Sequence, residues 1–444
     1  MLRNLPTLFV CAAMCAIANA SIAADTTTAE AGTSAVETRF QWTTVRQQKR
    51  AFNSPYSGPR SLNGNRESSQ STTATLFLGA NLGSGTEFYF NPEFAQGVPL
   101  SQLQGLAGFT NGELARTSGP DPRIYRARAF VRKTWNLGGA MEAVESDDNQ
   151  VATSYTAERL VLTAGNLSVL DVFDGVDYSR DARTQFMNWS SLTYAAWDYA
   201  ADSRGYTWGA ALEYITPRYQ VRAGRFLMPM ESNGLRLDTR QSRQHGDAFE
   251  LELPFEFAGR SGTLRLLGFQ NKTVSGQFDA AITLARTAGG VPDLSAVREL
   301  RTKRGIGIGA QYELVKDLGG YVRTAWNDGR TETYAFTEVD QSFSAGILAR
   351  GGRWGRAKDT AGVARYVNSL KGPHRNYLAA GGTGFFLGDG QLNYGPEKTT
   401  EIFYSANLLT RAFATLGFQR TTNPGYNRDR GPVNVASVRL HITF

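Results

Sequence analysis

Beyond residue 24 this chain has no cysteine, because Cys11 and Cys15 are its only two. Disulfide frameworks, thiolate zinc sites and cysteine nucleophiles are therefore excluded from the expected mature protein. Histidine is nearly as scarce. His245, His374 and His441 stand alone, with no HExxH and no second ligand at metal spacing. A GxSxG elbow is absent, and Gly381, Gly382, Gly384, Gly388 and Gly390 lack the GxGxxG spacing of a phosphate loop. Neither an enzyme nor a resident cofactor is expected. After residue 24 no apolar run is long enough for a membrane-spanning helix. The formal charge of +7 contains no run of five basic residues, so no nucleic-acid partner is expected.

What is present starts with a leader. Arg3 opens a positive end, Leu5 to Ile17 is a short apolar stretch, and Ala18-Asn19-Ala20 and Ser21-Ile22-Ala23 are small-residue cleavage sites. Residues 1–24 read as a secretory signal peptide, 25–36 as a linker and 37–444 as the folded unit. Neither cysteine follows a small residue, which argues against a lipoprotein anchor. Aromatics make up 11% of the chain and apolar residues 41%, enough to argue against disorder.

The dominant pattern is strict alternation. Tyr206, Trp208, Ala210, Leu212 and Tyr214 share one face, opposite Thr207, Gly209, Ala211 and Glu213. Ile306, Ile308, Ala310, Tyr312 and Leu314 oppose Gly305, Gly307, Gly309, Gln311 and Glu313. Ala436, Val438, Leu440, Ile442 and Phe444 oppose Ser437, Arg439, His441 and Thr443. A soluble sandwich needs an apolar inward face, so Arg, Glu and Gln alternating along nearly every strand point to a transmembrane barrel. Sixteen such segments begin near Arg39, Thr72, Thr86, Arg123, Ala157, Arg204, Arg218, Gly246, Gly262, Arg304, Gly320, Val339, Lys358, Glu397, Arg411 and Val433. Tight turns at Gly83-Ser84-Gly85, Thr216-Pro217, 258–261 and 316–319 alternate with long stretches at 49–70, 92–122, 166–203, 227–245, 271–303 and 370–396. The expected fold is an all-β, antiparallel transmembrane barrel of about 16 strands, with short periplasmic turns and long extracellular loops. Its place is the outer membrane of a Gram-negative cell, with outer-membrane lipid around it. The stretch 135–157 is too long for a short turn and predicts a periplasmic excursion. Phe444, an outward aromatic at the end of the last strand, suits an interfacial belt and recognition by the barrel assembly machinery.

Particular motifs carry a family resemblance. They include Phe52-Asn53-Ser54-Pro55-Tyr56-Ser57-Gly58, Asn91-Pro92-Glu93, Gly105-Leu106-Ala107-Gly108-Phe109, Ala164-Gly165-Asn166 and Asp171-Val172-Phe173-Asp174. Asp198-Tyr199-Ala200-Ala201-Asp202, then 423–433 and Arg439-Leu440-His441, complete the set. In this order and spacing the chain resembles the carbohydrate-selective porins of the OprB type. The resemblance implies a sixteen-stranded barrel that passes mono- and small oligosaccharides passively into the periplasm. The alternatives are a general or anion-selective porin, or a surface adhesin that uses the long loops. Whether barrels stand alone or as homotrimers is left open.

Parity assigns the lumen. If Tyr125, Ala127, Ala129 and Val131 face lipid, then Arg126, Arg128 and Arg132 point inward. A charge against the bilayer midplane would cost about 2–4 kcal/mol. The same logic places Arg222, Arg323, Glu213, Glu250, Glu252 and Glu313 inside, with Gln220. Guanidinium and carboxylate groups in alternation can replace the hydration of an uncharged polyol, or they can simply pair and brace the wall. Arginine outnumbers lysine 39 to 8, which leans away from a lysine-lined anion pore. By length and analogy 92–122 is the candidate constriction loop, with Asn91, Glu93 and Glu113. The loop 166–203 offers Asp171, Asp174, Asp177 and Asp181 beside Trp189, Trp197 and Tyr199. It reads either as a calcium-binding or sugar-stacking loop turned toward the pore, or as one packed by its own aromatics at the rim. The acidic spacing does not fit an EF-hand, so no metal is assigned.

Overall fold

The computed structural model describes residues 36–114 and 119–444. The signal peptide and all but the last residue of the expected linker lie outside the described residues. Sixteen strands form one closed antiparallel sheet. They are β1 Val36–Lys49, β2 Glu67–Gly83, β3 Thr86–Val98, β4 Arg123–Val144, β5 Thr153–Leu167, β6 Thr207–Ile215, β7 Gln220–Phe226 and β8 His245–Phe257. The second half comprises β9 Arg260–Gly276, β10 Arg298–Val315, β11 Leu318–Asn327, β12 Gln341–Arg350, β13 Thr360–Ser369, β14 Glu397–Leu409, β15 Ala412–Thr422 and β16 Val433–Thr443. Each strand pairs with its sequence neighbours, and β1 closes on β16 through Thr43 opposite His441, whose side chains lie 2.8 Å apart. Closure leaves no unpaired edge, which a bilayer requires because it offers no water to satisfy backbone groups.

The alternation seen in the sequence becomes inside and outside. On β16 Val435, Ser437, Arg439 and His441 are buried while Ala436 and Val438 are exposed. Expected strand starts differ from the observed ones by six residues at most, the largest being Arg304 against Arg298. Turns on one rim are short. At Gly83-Ser84-Gly85 all three residues have positive φ, and a Cβ on Gly85 would sit 2.5 Å from the Thr134 carbonyl oxygen. The β4–β5 excursion is an extended hairpin that irregularities at Asn136–Met141 bend back. Its tip returns to the barrel mouth, where Arg132 donates to the Asn149 carbonyl (3.1 Å) and the Val151 amide donates to Tyr89 (3.1 Å).

Long loops occupy the other rim, and several turn inward. The main buried cluster joins Leu106 and Phe109 of one loop to Phe173, Trp197 and Tyr199 of a second, Tyr334 and Phe336 of a third and Phe386 of a fourth. Trp189 stacks on Phe336 with centroids 5.7 Å apart. The loop tryptophans are thus committed to packing.

Candidate functional site in the lumen

Wall side chains hold two loops within the barrel. Segment 99–122 is anchored by Glu397 on β14, which accepts the amides of Ala107, Gly108 and Gly425, and by Gln47 on β1, which hydrogen-bonds Thr110 in both directions. Segment 168–206 crosses further. Asp171 meets Arg128 on β4, the Asp174 amide donates to Glu250 on β8, and Arg265 on β9 donates to the Gly175 carbonyl. Gln311 on β10 binds Asp177, and Arg323 on β11 binds Asp174 and the carbonyls of Ser179 and Ser191. Glu401 on β14 accepts the amides of Met187 and Asn188, and Arg439 on β16 donates to the carbonyls of Ala182 and Gln185. A loop tied to strands this far around the wall narrows the lumen. Many of these ties satisfy loop backbone that no secondary structure serves.

Three acidic residues weighed as calcium ligands are therefore dispersed. Asp171, Asp174 and Asp177 each serve a different strand, and among the described residues no cluster of three metal-ligating groups forms. The physical reason is charge: each carboxylate is turned to its own donor on the wall.

A polar convergence lies where β3 and β4 meet both loops. Arg183 donates from Nη2 to Glu93 (3.0 Å) and from Nε to Glu113 (2.8 Å). Glu93 also accepts from Thr75 (2.7 Å) and from the Tyr125 hydroxyl. Arg128 lies 5.3 Å from the Tyr206 ring centroid and Arg204 4.4 Å from that of Tyr125; the two rings stand 6.2 Å apart. Asp181, on the same loop, is pushed up by burial, but the Thr184 hydroxyl and the Arg183 amide and charge outweigh that and hold it below the usual carboxylate range. Arg128, Arg183 and Arg204 carry three positive charges, and Glu93, Glu113 and Asp171 three negative ones.

Parity holds for most of the predicted lumen set. Arg222 reaches Glu213 (2.9 Å), Glu250 (2.8 Å) and Glu252 (3.0 Å) from the inner wall. Arg323 is inside and buried, Arg132 is 3.5 Å from Glu87, and Glu313 pairs with Arg260 at 3.4 Å near the turn rim. Asn91 and Glu93 also face inward, but from strand β3, because the strand runs to Val98; of the three constriction candidates only Glu113 lies in the loop.

Arg126 is the exception. Between Asn91 and Pro92 the β3–β4 register slips, so Arg128 faces Asn91 while Arg126 faces Pro92. One extra residue, Ala127, is left over on β4, and this bulge inverts the faces beyond it. Proline has no amide to lend to the ladder, so the irregularity falls where it costs least. Arg126 consequently points outward, hydrogen-bonded to Asn166 (3.1 Å) and over Trp208 (5.0 Å). Tyr125 points inward, and Ala127 is fully buried rather than lipid-facing. Tyr206 also leaves its expected outer face, since β6 begins only at Thr207.

Sequence reasoning passed over Arg183, Glu397 and Glu401. Arg183 lies in a loop, where parity says nothing. Glu397 and Glu401 do alternate with Lys398 and Thr400, but apolar residues appear on that strand's outer face only from Ile402, so the signal was faint.

The family described as carbohydrate-selective porin, OprB family, matches residues 60–444. No curated protein sequence matches. Among solved structures, Pseudomonas putida OprB at high pH is similar over 92% of this chain and 94% of its own, with a TM-score of 0.68 and 14% identity. The outer membrane channel DcaP of Acinetobacter baumannii covers 94% of this chain and 99% of its own at a TM-score of 0.49 and 9% identity. With a matched profile across most of the sequence and a closed sixteen-stranded barrel beneath it, this chain belongs to the OprB family of carbohydrate-selective porins and passes sugars across the outer membrane.

Proposed function

We propose that selectivity among solutes is set at the convergence of Arg128, Arg183, Arg204, Glu93, Glu113, Tyr125 and Tyr206. The observation that carries this reading is the double grip of Arg183 on Glu93 and Glu113, which ties wall and loop together within a set of three guanidinium and three carboxylate groups. An anion pore needs positive charge without compensation. A polyol needs donors and acceptors in fixed places and no net field. Guanidinium groups stacked on tyrosine rings hold their N–H edges in place, so little freedom is lost when a hydroxyl exchanges water for them. The carboxylates accept from the same sugar's hydroxyls. Passage also requires that no single contact be strong, and contacts shared with an existing ion pair meet that need.

Planar-bilayer recording tests the reading. Wild-type channels should show a reversal potential near zero in a potassium chloride gradient and a current blocked by mono- and small oligosaccharides. Arg183→Gln should leave two carboxylates without a cation, turn the channel cation-selective and weaken sugar block. A variant that keeps both wild-type reversal potential and sugar block removes this site from the selectivity mechanism.

A further inference from the structure

The outer wall carries its own charge asymmetry. Outward positions on β12 to β16 and on β1 to β3 include no aspartate or glutamate. They do include Arg365 on β13, Lys398 on β14 and Arg420 on β15. Arg365 lies opposite Thr400, and Thr400 opposite Arg420, which faces Asn434; Lys398 sits one dyad step nearer the long loops. With strands about 4.8 Å apart, the two arginines are roughly 10 Å from each other on one row. Their polar partners are neutral: Arg365 donates to the Thr400 hydroxyl and Arg420 to Asn434 at 3.2 Å. Among the described residues none of the three cations forms an ion pair. One dyad step toward the turn rim the same strands present Val363, Ile402, Phe418 and Ala436, with Ile402 47% exposed. The cations thus stand at the upper edge of the apolar band, on the side of the long extracellular loops.

We propose that Arg365, Lys398 and Arg420 form a docking surface for a phosphate-bearing lipid of the outer leaflet. Its acyl chains would lie along Val363, Ile402 and Phe418, and its headgroup phosphate would supply the anionic partner that none of the three cations has among the described residues. A second copy of this chain is the weaker occupant on charge grounds. In the loop-side half of the barrel the strand carboxylate that faces outward is Asp247, and Arg225 already holds it through hydrogen bonds of 2.7 and 2.9 Å. The inference is independent of the lumen site.

Native mass spectrometry of the full barrel in neutral detergent, titrated with a diphosphorylated diglucosamine lipid, tests it. Wild type should bind this lipid at least tenfold more tightly than phosphatidylcholine. R365Q/K398Q/R420Q should lose that tenfold preference, while R304Q on β10 should retain it. Heat-modifiable gel migration checks that each variant is folded; should the triple variant fail, R365Q/R420Q replaces it. Equal lipid binding by wild type and triple variant overturns the proposal, and so does an equal loss in R304Q. Displacement of the lipid by an equimolar amount of inorganic phosphate would reveal an anion site and also overturn it. A triple variant whose oligomeric mass changes in lipid-free detergent while lipid binding persists would assign the face to a second copy instead.

Discussion

Arg128 and Asp171 meet edge to edge, with Nε and Nη2 of the arginine each 2.7 Å from one oxygen of the carboxylate. The pair joins the β4 wall to the start of the inward-folded loop, and Asp171 also accepts the amide of Ser168 at 2.9 Å. Arg128→Ala should therefore do two things at once. It removes a donor of the proposed selectivity site, and it frees the loop end, at a cost of about 1–3 kcal/mol to loop docking. Expected are a larger single-channel conductance and weaker sugar block, with the barrel still assembled. Asp171→Ala should raise conductance similarly, and the double variant should add little. Strictly additive conductance changes would show that the pair does not act as a unit.

The bulge on β4 gives a second test, because it reverses the roles that parity assigns to two neighbours. Arg126 faces outward near the loop end of its strand, where a charge costs about 0–1 kcal/mol. Arg126→Leu should leave conductance, ion selectivity and sugar block at wild-type values. Ala127 is fully buried in the bulge, so Ala127→Arg forces a long charged side chain into a closed space. Overpacking alone costs about 1–3 kcal/mol. Loss of the heat-modifiable folded band is expected for Ala127→Arg and not for Arg126→Leu. The opposite pattern would restore the unbroken alternation.

These residues show how far a sequence carries the structure. Alternation is a property of the strand itself, so it named all sixteen strands and placed Arg222, Glu213, Glu250, Glu252 and Arg323 inside. It fails wherever the period is interrupted. Alternation gives no sign of the bulge opposite Pro92 or of which strand absorbs the extra residue, and that decides Arg126. Loops have no period at all. The grip of Arg183 on the carboxylates of Glu93 and Glu113 could be found only once the wall residues that hold the loop were placed in space. Glu113 was found by its position within a long connection, not by any rule for its side chain.

Glu397 holds segment 99–122 by accepting the amides of Ala107 and Gly108 at 3.0 and 2.8 Å, and it also accepts that of Gly425 at 2.8 Å. Glu397→Ala leaves those buried donors without a partner, each worth about 1–3 kcal/mol. The loop should detach, and limited proteolysis of the purified channel should cut within 99–122 at least tenfold faster than in wild type. Glu397→Gln keeps an acceptor oxygen and should fall between the two. Equal cleavage rates in all three proteins would show that the apolar cluster around Leu106 and Phe109 suffices to hold the loop.

Asp340 and His374 supply a pH dependence for the extracellular cap. Asp340 is fully buried, accepts the Lys371 amide at 2.9 Å and lies 3.2 Å from the His374 ring, which stacks on Phe278 with centroids 4.2 Å apart. Burial pushes the Asp340 carboxyl up, but the charge and hydrogen bond of His374, the Lys371 amide and the charge of Lys303 together hold it below the usual aspartate range. A carboxyl with a lower pKa in the folded than in the unfolded chain stabilises the fold fully above the unfolded value of about 3.9. That contribution is lost as pH falls below about 4 and through the folded value. Asp340→Asn keeps an acceptor for Lys371 but has no charge to lose. Wild type should therefore be the more stable protein at pH 7, by the urea concentration at half-unfolding, and the gap should shrink on acidification to pH 3. A gap that stays constant between pH 7 and pH 3 would mean that the carboxylate charge contributes nothing and that the hydrogen bonds alone hold the cap.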